Sequence, residues 1–211
     1  MSPPQPPPIF CPVLWGDLAD LEPKLVEWLA GVELIRQGYS INFLGQEHLV
    51  DLSQRQVVGP PSLLPVGFVK TMIVLTYLAK SALGPAPGLA ETQVGVMEIP
   101  GGSLFFRGPH ALPEDKLIQA FGRDPAALTA RALELGAKAA PPASFLFRVL
   151  PFVELGCYLD QADEEFPAQV RWIFDRHSHY YLALDGLLGL CQVLVGELVG
   201  ESYNLAGELG P

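Results

Sequence analysis

No other stretch restricts the fold as much as residues 66–83, an apolar run interrupted by charge only at Lys70 and Lys80. Its uncharged part is too short to cross a bilayer. Apolar side chains on almost every face leave no side for water, so the run predicts a central helix, closed by Gly84-Pro85, with the two lysines reaching outward along their stems near its ends. A buried helix needs a body around it. The chain has 211 residues, 49% of them hydrophobic, which suffices for one large domain or two small ones and excludes general disorder. A second apolar stretch, Leu182 to Val199, carries Asp185, Gln192, Glu197 and three glycines, and reads as another buried helix rather than a lipid-facing one.

The elements around these two helices follow from periodicity. Leu25, Trp28, Leu29, Val32 and Ile35 recur at helical spacing and predict one amphipathic helix over residues 21–37, with Gly38 as its stop. Residues 39–44 alternate with period two, Gly45-Gln46 can turn, and residues 48–52 continue as a hairpin partner. Thr92 to Ile99 reads as a strand ending at Pro100-Gly101-Gly102. Asp115 to Phe121 reads as a short helix, and Asp124-Pro125 supplies a cap and a first-turn proline to another that runs to Leu135. Strands at residues 144–150, 152–159 and 169–174 precede the last helix. Strands in clusters separated by helices predict an α+β fold, a single domain over residues 21–211 with a mainly antiparallel sheet covered by helices. Residues 1–20, with prolines at positions 3, 4, 6, 7 and 8, read as an N-terminal arm in extended polyproline conformation.

Charge narrows the partners. Thirteen basic against 23 acidic side chains give a formal net charge of -10, the opposite of what phosphate backbones and anionic membrane surfaces attract. The expectation is no nucleic acid and no membrane insertion. Cys11, Cys157 and Cys191 lie far apart, without the spacing of a zinc site, redox motif or disulfide framework. Reduced thiols and an opening segment with no basic or apolar signal make a cytoplasmic protein the expectation.

Two segments can carry chemistry. Asp163, Glu164 and Glu165 lie before a strand, and Asp175 follows it with His177 and His179 close behind. Meeting at one sheet edge, such groups can bind a divalent metal or divide acid and base roles. The plainer alternative is a solvated acidic hairpin loop, with Asp175 capping the turn into the last helix. The second segment is residues 101–110, where Phe105, Phe106, Arg107 and His110 lie among turn residues. A planar ligand can stack on the phenylalanines while Arg107 binds a carboxylate and His110 reaches a metal. Its alternative is a short core strand, with Phe105 and Phe106 on opposite faces and Arg107 at the rim. Arg107 has no acidic residue shortly before it, so Glu164 or Glu165 is its expected partner, and the two segments are expected to form one functional face. The three cysteines have apolar or prolyl neighbours and read as inert.

Leu150-Pro151-Phe152, Asp163-Glu164-Glu165-Phe166-Pro167-Ala168, Ile173-Phe174-Asp175 and Tyr180-Tyr181-Leu182 resemble the family called domain of unknown function 3786. Phe105 through Pro113 resembles its second hallmark, and the likeness extends from about Glu27 onward. The resemblance implies bacterial or archaeal anaerobes and the company of iron–sulfur or corrinoid redox proteins, rather than a reaction. Without a cysteine-rich segment the chain cannot ligate a cluster by itself, so a cluster would lie on a protein partner. Three functions remain open: a non-catalytic binding or assembly subunit, which leads; a small-ligand or tetrapyrrole-type cofactor-binding protein using residues 106–110; and a metal-dependent hydrolase using Asp163, Glu164, Glu165 and Asp175. No cofactor is specified by the residues.

Overall fold

The computed structural model describes residues 11–61, 63–84, 88–140, 144–162 and 165–200. The chain opens with two short helices, α1 (Pro12–Ala19) and α2 (Pro23–Ala30), each started by a proline in its first turn. Trp15 and Leu18 of α1 are buried, so residues 12–19, assigned from sequence to the arm, belong to the packed body. The prolines before them lie outside the described residues.

The helix expected over residues 21–37 ends at Ala30. Gly31, with φ 62°, takes the left-handed conformation that terminates a helix, and the Glu27 carboxylate accepts from Leu34 N at 2.9 Å to turn the chain. Residues 33–35 become strand β1 (Glu33–Ile35), pairing with β2 (Gly38–Phe43). The apolar spacing that looked helical is divided between two elements. Strands β3 (Gln46–Asp51), β4 (Gln56–Gly59) and β5 (Leu64–Pro65) complete a five-stranded antiparallel meander.

Helix α3 (Phe68–Ser81) follows, and it is the central helix expected. Val69, Ile73, Val74, Leu75, Tyr77 and Leu78 are all buried. Lys70 reaches Glu197 at 2.7 Å, and Lys80 reaches the His179 carbonyl at 3.4 Å. The Tyr77 hydroxyl donates to Ala30 O at 2.7 Å and accepts from Phe152 N at 3.2 Å, tying α2 to the second sheet.

That second sheet is also antiparallel, in the order β6-β10-β9-β8-β7. Between β6 (Gln93–Gly95) and β7 (Lys138–Ala140) run α4 (Gly102–Phe105), a 3-10 turn at Gly108–His110, α5 (Glu114–Phe121) and α6 (Pro125–Glu134). The Asp124 carboxylate accepts from Ala127 N at 3.0 Å, the cap read from sequence. Strands β8 (Ser144–Leu150), β9 (Val153–Asp160) and β10 (Gln169–Asp175) form the sheet's centre, with Val170, Trp172 and Phe174 turned inward. After α7 (Ser178–Tyr181), α8 (Leu184–Val199) crosses α3. The crossing is close because Gly189 lacks a side chain: a Cβ there would stand 3.3 Å from Val69 Cγ1. The fold is therefore α+β, with two antiparallel sheets where one was expected. Leu44 N donates to Val149 O at 3.0 Å and joins them.

Two expectations around α4 are corrected. The strand over residues 92–99 is only β6, and residues 102–105 form a helical turn rather than a core strand. Gly101, with φ 78°, reverses the chain, and Gly102 lies so close to the Val96 carbonyl that any side chain would collide with it. This tight fold-back leaves no extended backbone to pair.

Candidate functional site

The acidic loop and the Phe105 to His110 segment leave opposite ends of β10, while Asp175, His177 and His179 lie at the Phe106 end. Phe106 stacks on Phe174, near the end of that strand, with ring centroids 6.3 Å apart and planes at 13°. The acidic loop leaves the other end, between Asp160 and Gln169, which pair across β9 and β10. The five residue steps from Gln169 to Phe174 amount to roughly 17 Å of strand. Asp163 and Glu164 lie outside the described residues, and Glu165 is exposed on the loop. Arg107 is exposed and has no ion-pair partner among the described residues. The anchors of the acidic loop and of the Phe105 to His110 segment thus lie at opposite ends of β10.

Asp175 has a structural task. It is 1% exposed, and its carboxylate accepts three backbone N–H groups: Ala90 at 3.0 Å, Glu91 at 2.9 Å and His177 at 2.9 Å. Tyr181 adds to the same clasp, its hydroxyl accepting from Gly88 N at 2.9 Å and donating to Gly88 O at 3.0 Å. The plainer reading, Asp175 holding the turn into the last helices, is the observed one. Its lone pairs face the chain's own backbone rather than a metal or substrate. Among the described residues no three His, Cys, Asp or Glu side chains are grouped to hold a metal ion.

Cys157 and Cys191 are buried as well, and Cys11 is half-buried. Burial pushes the Cys157 thiol up to about 12 and the Cys191 thiol well above its ordinary value, and it raises Cys11 as well. None of the three is poised as a nucleophile.

What the Phe105 to His110 segment does form is one wall of an open cleft of about 500 Å³. Pro100 and Phe105 face Leu182, Ala183 and Leu184 from the α7–α8 elbow, with His179 and Asp185 as the polar groups of the lining. The positive φ of Gly101 lets this turn approach Leu184 Cδ1 closely. His110 lies parallel on Phe105, centroids 4.6 Å apart and planes at 8°, while Phe106 meets Phe105 edge-on at 5.2 Å. His179 is oriented through Nδ1, 2.8 Å from Arg176 O, and its ring lies 4.1 Å from that of Tyr180. Of the residues predicted from sequence, His110 and Phe106 thus buttress the cleft, and Phe105 lines it. The opposite wall was missed. Its signal was the break between Tyr181 and the apolar run from Leu182, where a helix elbow exposes Ala183 and Asp185.

A two-sheet α+β body with an apolar cleft at a helix elbow is the class these observations define. The chain belongs to the family described as Domain of unknown function (DUF3786), which it matches over residues 22–197. A comparison with curated proteins gave no match. None was found among solved structures. No helix of the described residues is long and apolar enough to cross a membrane.

Proposed function

We propose that this chain acts as a non-catalytic binding or assembly subunit, and that the face around the Phe105 cleft is its contact surface. The observation that carries this reading is the contrast between withdrawn reactive groups and exposed apolar ones. Asp175 and the Cys157 and Cys191 thiols are locked inside, whereas Met97 and Leu104, on the segment that builds the cleft wall, stand 68% and 77% exposed. A partner iron–sulfur or corrinoid protein is the expectation drawn from the family resemblance, and a cytoplasmic setting goes with it. The test is affinity purification of the tagged chain from anaerobic extract, with hydrogen exchange on the recovered complex. Protection at residues 97–110 and 179–185, lost together with the partner in Leu104→Asp, supports the reading. A bare monomer that recovers nothing refutes it, and a partner with neither cluster nor corrinoid removes the redox part.

A second reading, a small-ligand or tetrapyrrole-type cofactor-binding protein, is favoured by the parallel stacking of His110 on Phe105 beside the cleft. This geometry offers an aromatic platform and an imidazole on one turn. Visible absorbance after anaerobic purification, lost in His110→Ala, is the expected result for a tetrapyrrole. A colourless protein that also fails to take up added cofactor counts against it.

A further inference from the structure

The polar side chains that line the Phe105 cleft offer acceptors to an occupant. Pro100, Phe105, Leu182 and Leu184 make apolar walls, and Asp185 and His179 are the polar side chains among them. His179 is fixed by its backbone contact. Its Nδ1 lies 2.8 Å from the Arg176 carbonyl, which can only accept, so Nδ1 carries the proton, and in the neutral ring Nε2 is then a bare acceptor. Asp185 stands exposed in the first turn of α8. Its Oδ1 accepts from Gly186 N at 2.9 Å, which orients the group and leaves Oδ2 open among the described residues. A carboxylate accepts and never donates.

Asp185 is also the one charged side chain of the lining. Arg107, Arg176 and Lys80 stand on neighbouring turns, outside the groups that line the cleft. The Lys80 ammonium lies 3.4 Å from the His179 carbonyl. Arg176 has two acidic neighbours: Asp175 precedes it, and Glu91 meets the Asp175 carboxylate through its own N–H at 2.9 Å. The charge in the wall is therefore negative, the sign of a chain whose formal net charge is -10.

We infer that the cleft takes an apolar amine, an aromatic hydrocarbon body lying between Phe105 and the Leu182–Leu184 wall with its ammonium donating to Asp185. This rests on the small-ligand reading of the same cleft and adds the sign of the ligand. An ammonium has three donors and no acceptor, the complement of a lining whose polar side chains accept. The cleft volume of about 500 Å³ suits a small molecule. Apolar walls with a single carboxylate hold the body by contact and fix its orientation by charge.

Three probes on one naphthalene ring separate the claims: naphthylmethylamine is a cation at neutral pH, naphthylmethanol is neutral and naphthylacetate is an anion. Titration calorimetry on the full chain at low salt should show the amine binding at one site per chain, tighter than the alcohol, with the acetate weakest. Asp185→Asn keeps an acceptor for Gly186 N and should weaken the amine about fivefold, the scale of one partly exposed charge contact, while leaving the alcohol unchanged. Phe105→Ala should weaken all three. Equal binding of amine and alcohol would overturn the inference and leave the small-ligand reading standing. Tightest binding by the acetate would show that the sign is wrong. An amine preference that survives Asp185→Asn would take the site away from this carboxylate. If none of the three binds the folded protein, the small-ligand reading fails and the inference with it. The ranking of the probes on the unaltered chain depends on no variant, and circular dichroism shows whether each variant keeps the fold.

Discussion

Replacing Asp175 with alanine tests the division between structural and functional carboxylates. The side chain is buried and takes three backbone N–H groups at 2.9–3.0 Å, two from the segment at Ala90 and Glu91 and one from His177. Each hydrogen bond to a charged acceptor is worth roughly 1.5–3 kcal/mol, and a donor stranded without a partner costs a similar amount. Water can enter as residues 88–92 loosen, so the full sum is not expected. A loss of about 3–5 kcal/mol is, a large part of the stability of an ordinary domain. Asp175→Asn retains the shape but presents an N–H₂ group toward one of the donors, and should lose about 2 kcal/mol. Urea titration followed by tryptophan fluorescence gives the stability. Hydrogen exchange at Ala90, Glu91 and His177 should quicken in both variants before global unfolding. A change below about 1 kcal/mol with unaltered exchange would show that the clasp does not depend on this carboxylate, and would return Asp175 to the list of functional acids.

Ile73→Asp puts a carboxylate at a fully buried position of α3, and should abolish soluble expression; a folded variant would place α3 at the surface. His48 is buried against Phe43, and burial lowers its pKa from the ordinary 6.5 despite its contact with Gln46 O. The unfolded chain therefore binds this proton more readily, so stability should fall as pH drops below about 6.5 and level off below the folded value. His48→Gln should flatten that part of the pH–stability curve, and an unchanged curve would assign the slope to other groups. With Cys157 and Cys191 buried and their thiols pushed up, a maleimide at neutral pH should modify them only as fast as the protein opens. Rapid labelling of either in the native state would contradict the packing of α8 on the second sheet.

The α3 and α8 helices, the β2–β3 hairpin, the capped start of α6 and the three long strands of the second sheet were legible in the residues. Each is decided locally, by a repeat of 3.6 or 2 or by a capping side chain, and burial merely confirms it. Local signals failed where one pattern served two elements. The spacing from Leu25 to Ile35 fits one helix, yet Gly31 divides it, and only the presence of β2 as a pairing partner makes β1 a strand. The short strands β5 and β7 are likewise products of their neighbours, too brief to announce themselves. The site was legible as a set of residues but not as an arrangement. Arg107, His110, His177 and His179 stood out by type, and so did the acidic loop, which tertiary structure carried to the far end of β10. Asp175 looks the same in sequence whether it faces solvent, a metal or three amides. Its role was settled by residues 88–92, more than eighty positions earlier, returning to meet it. Sequence determined which segments are apolar, where glycine permits a reversal and how the charges balance, because those properties belong to single residues and their near neighbours. Which wall would face Phe105 depends on contacts between α4 and the α7–α8 elbow that are distant along the chain, and only the packed fold supplies them.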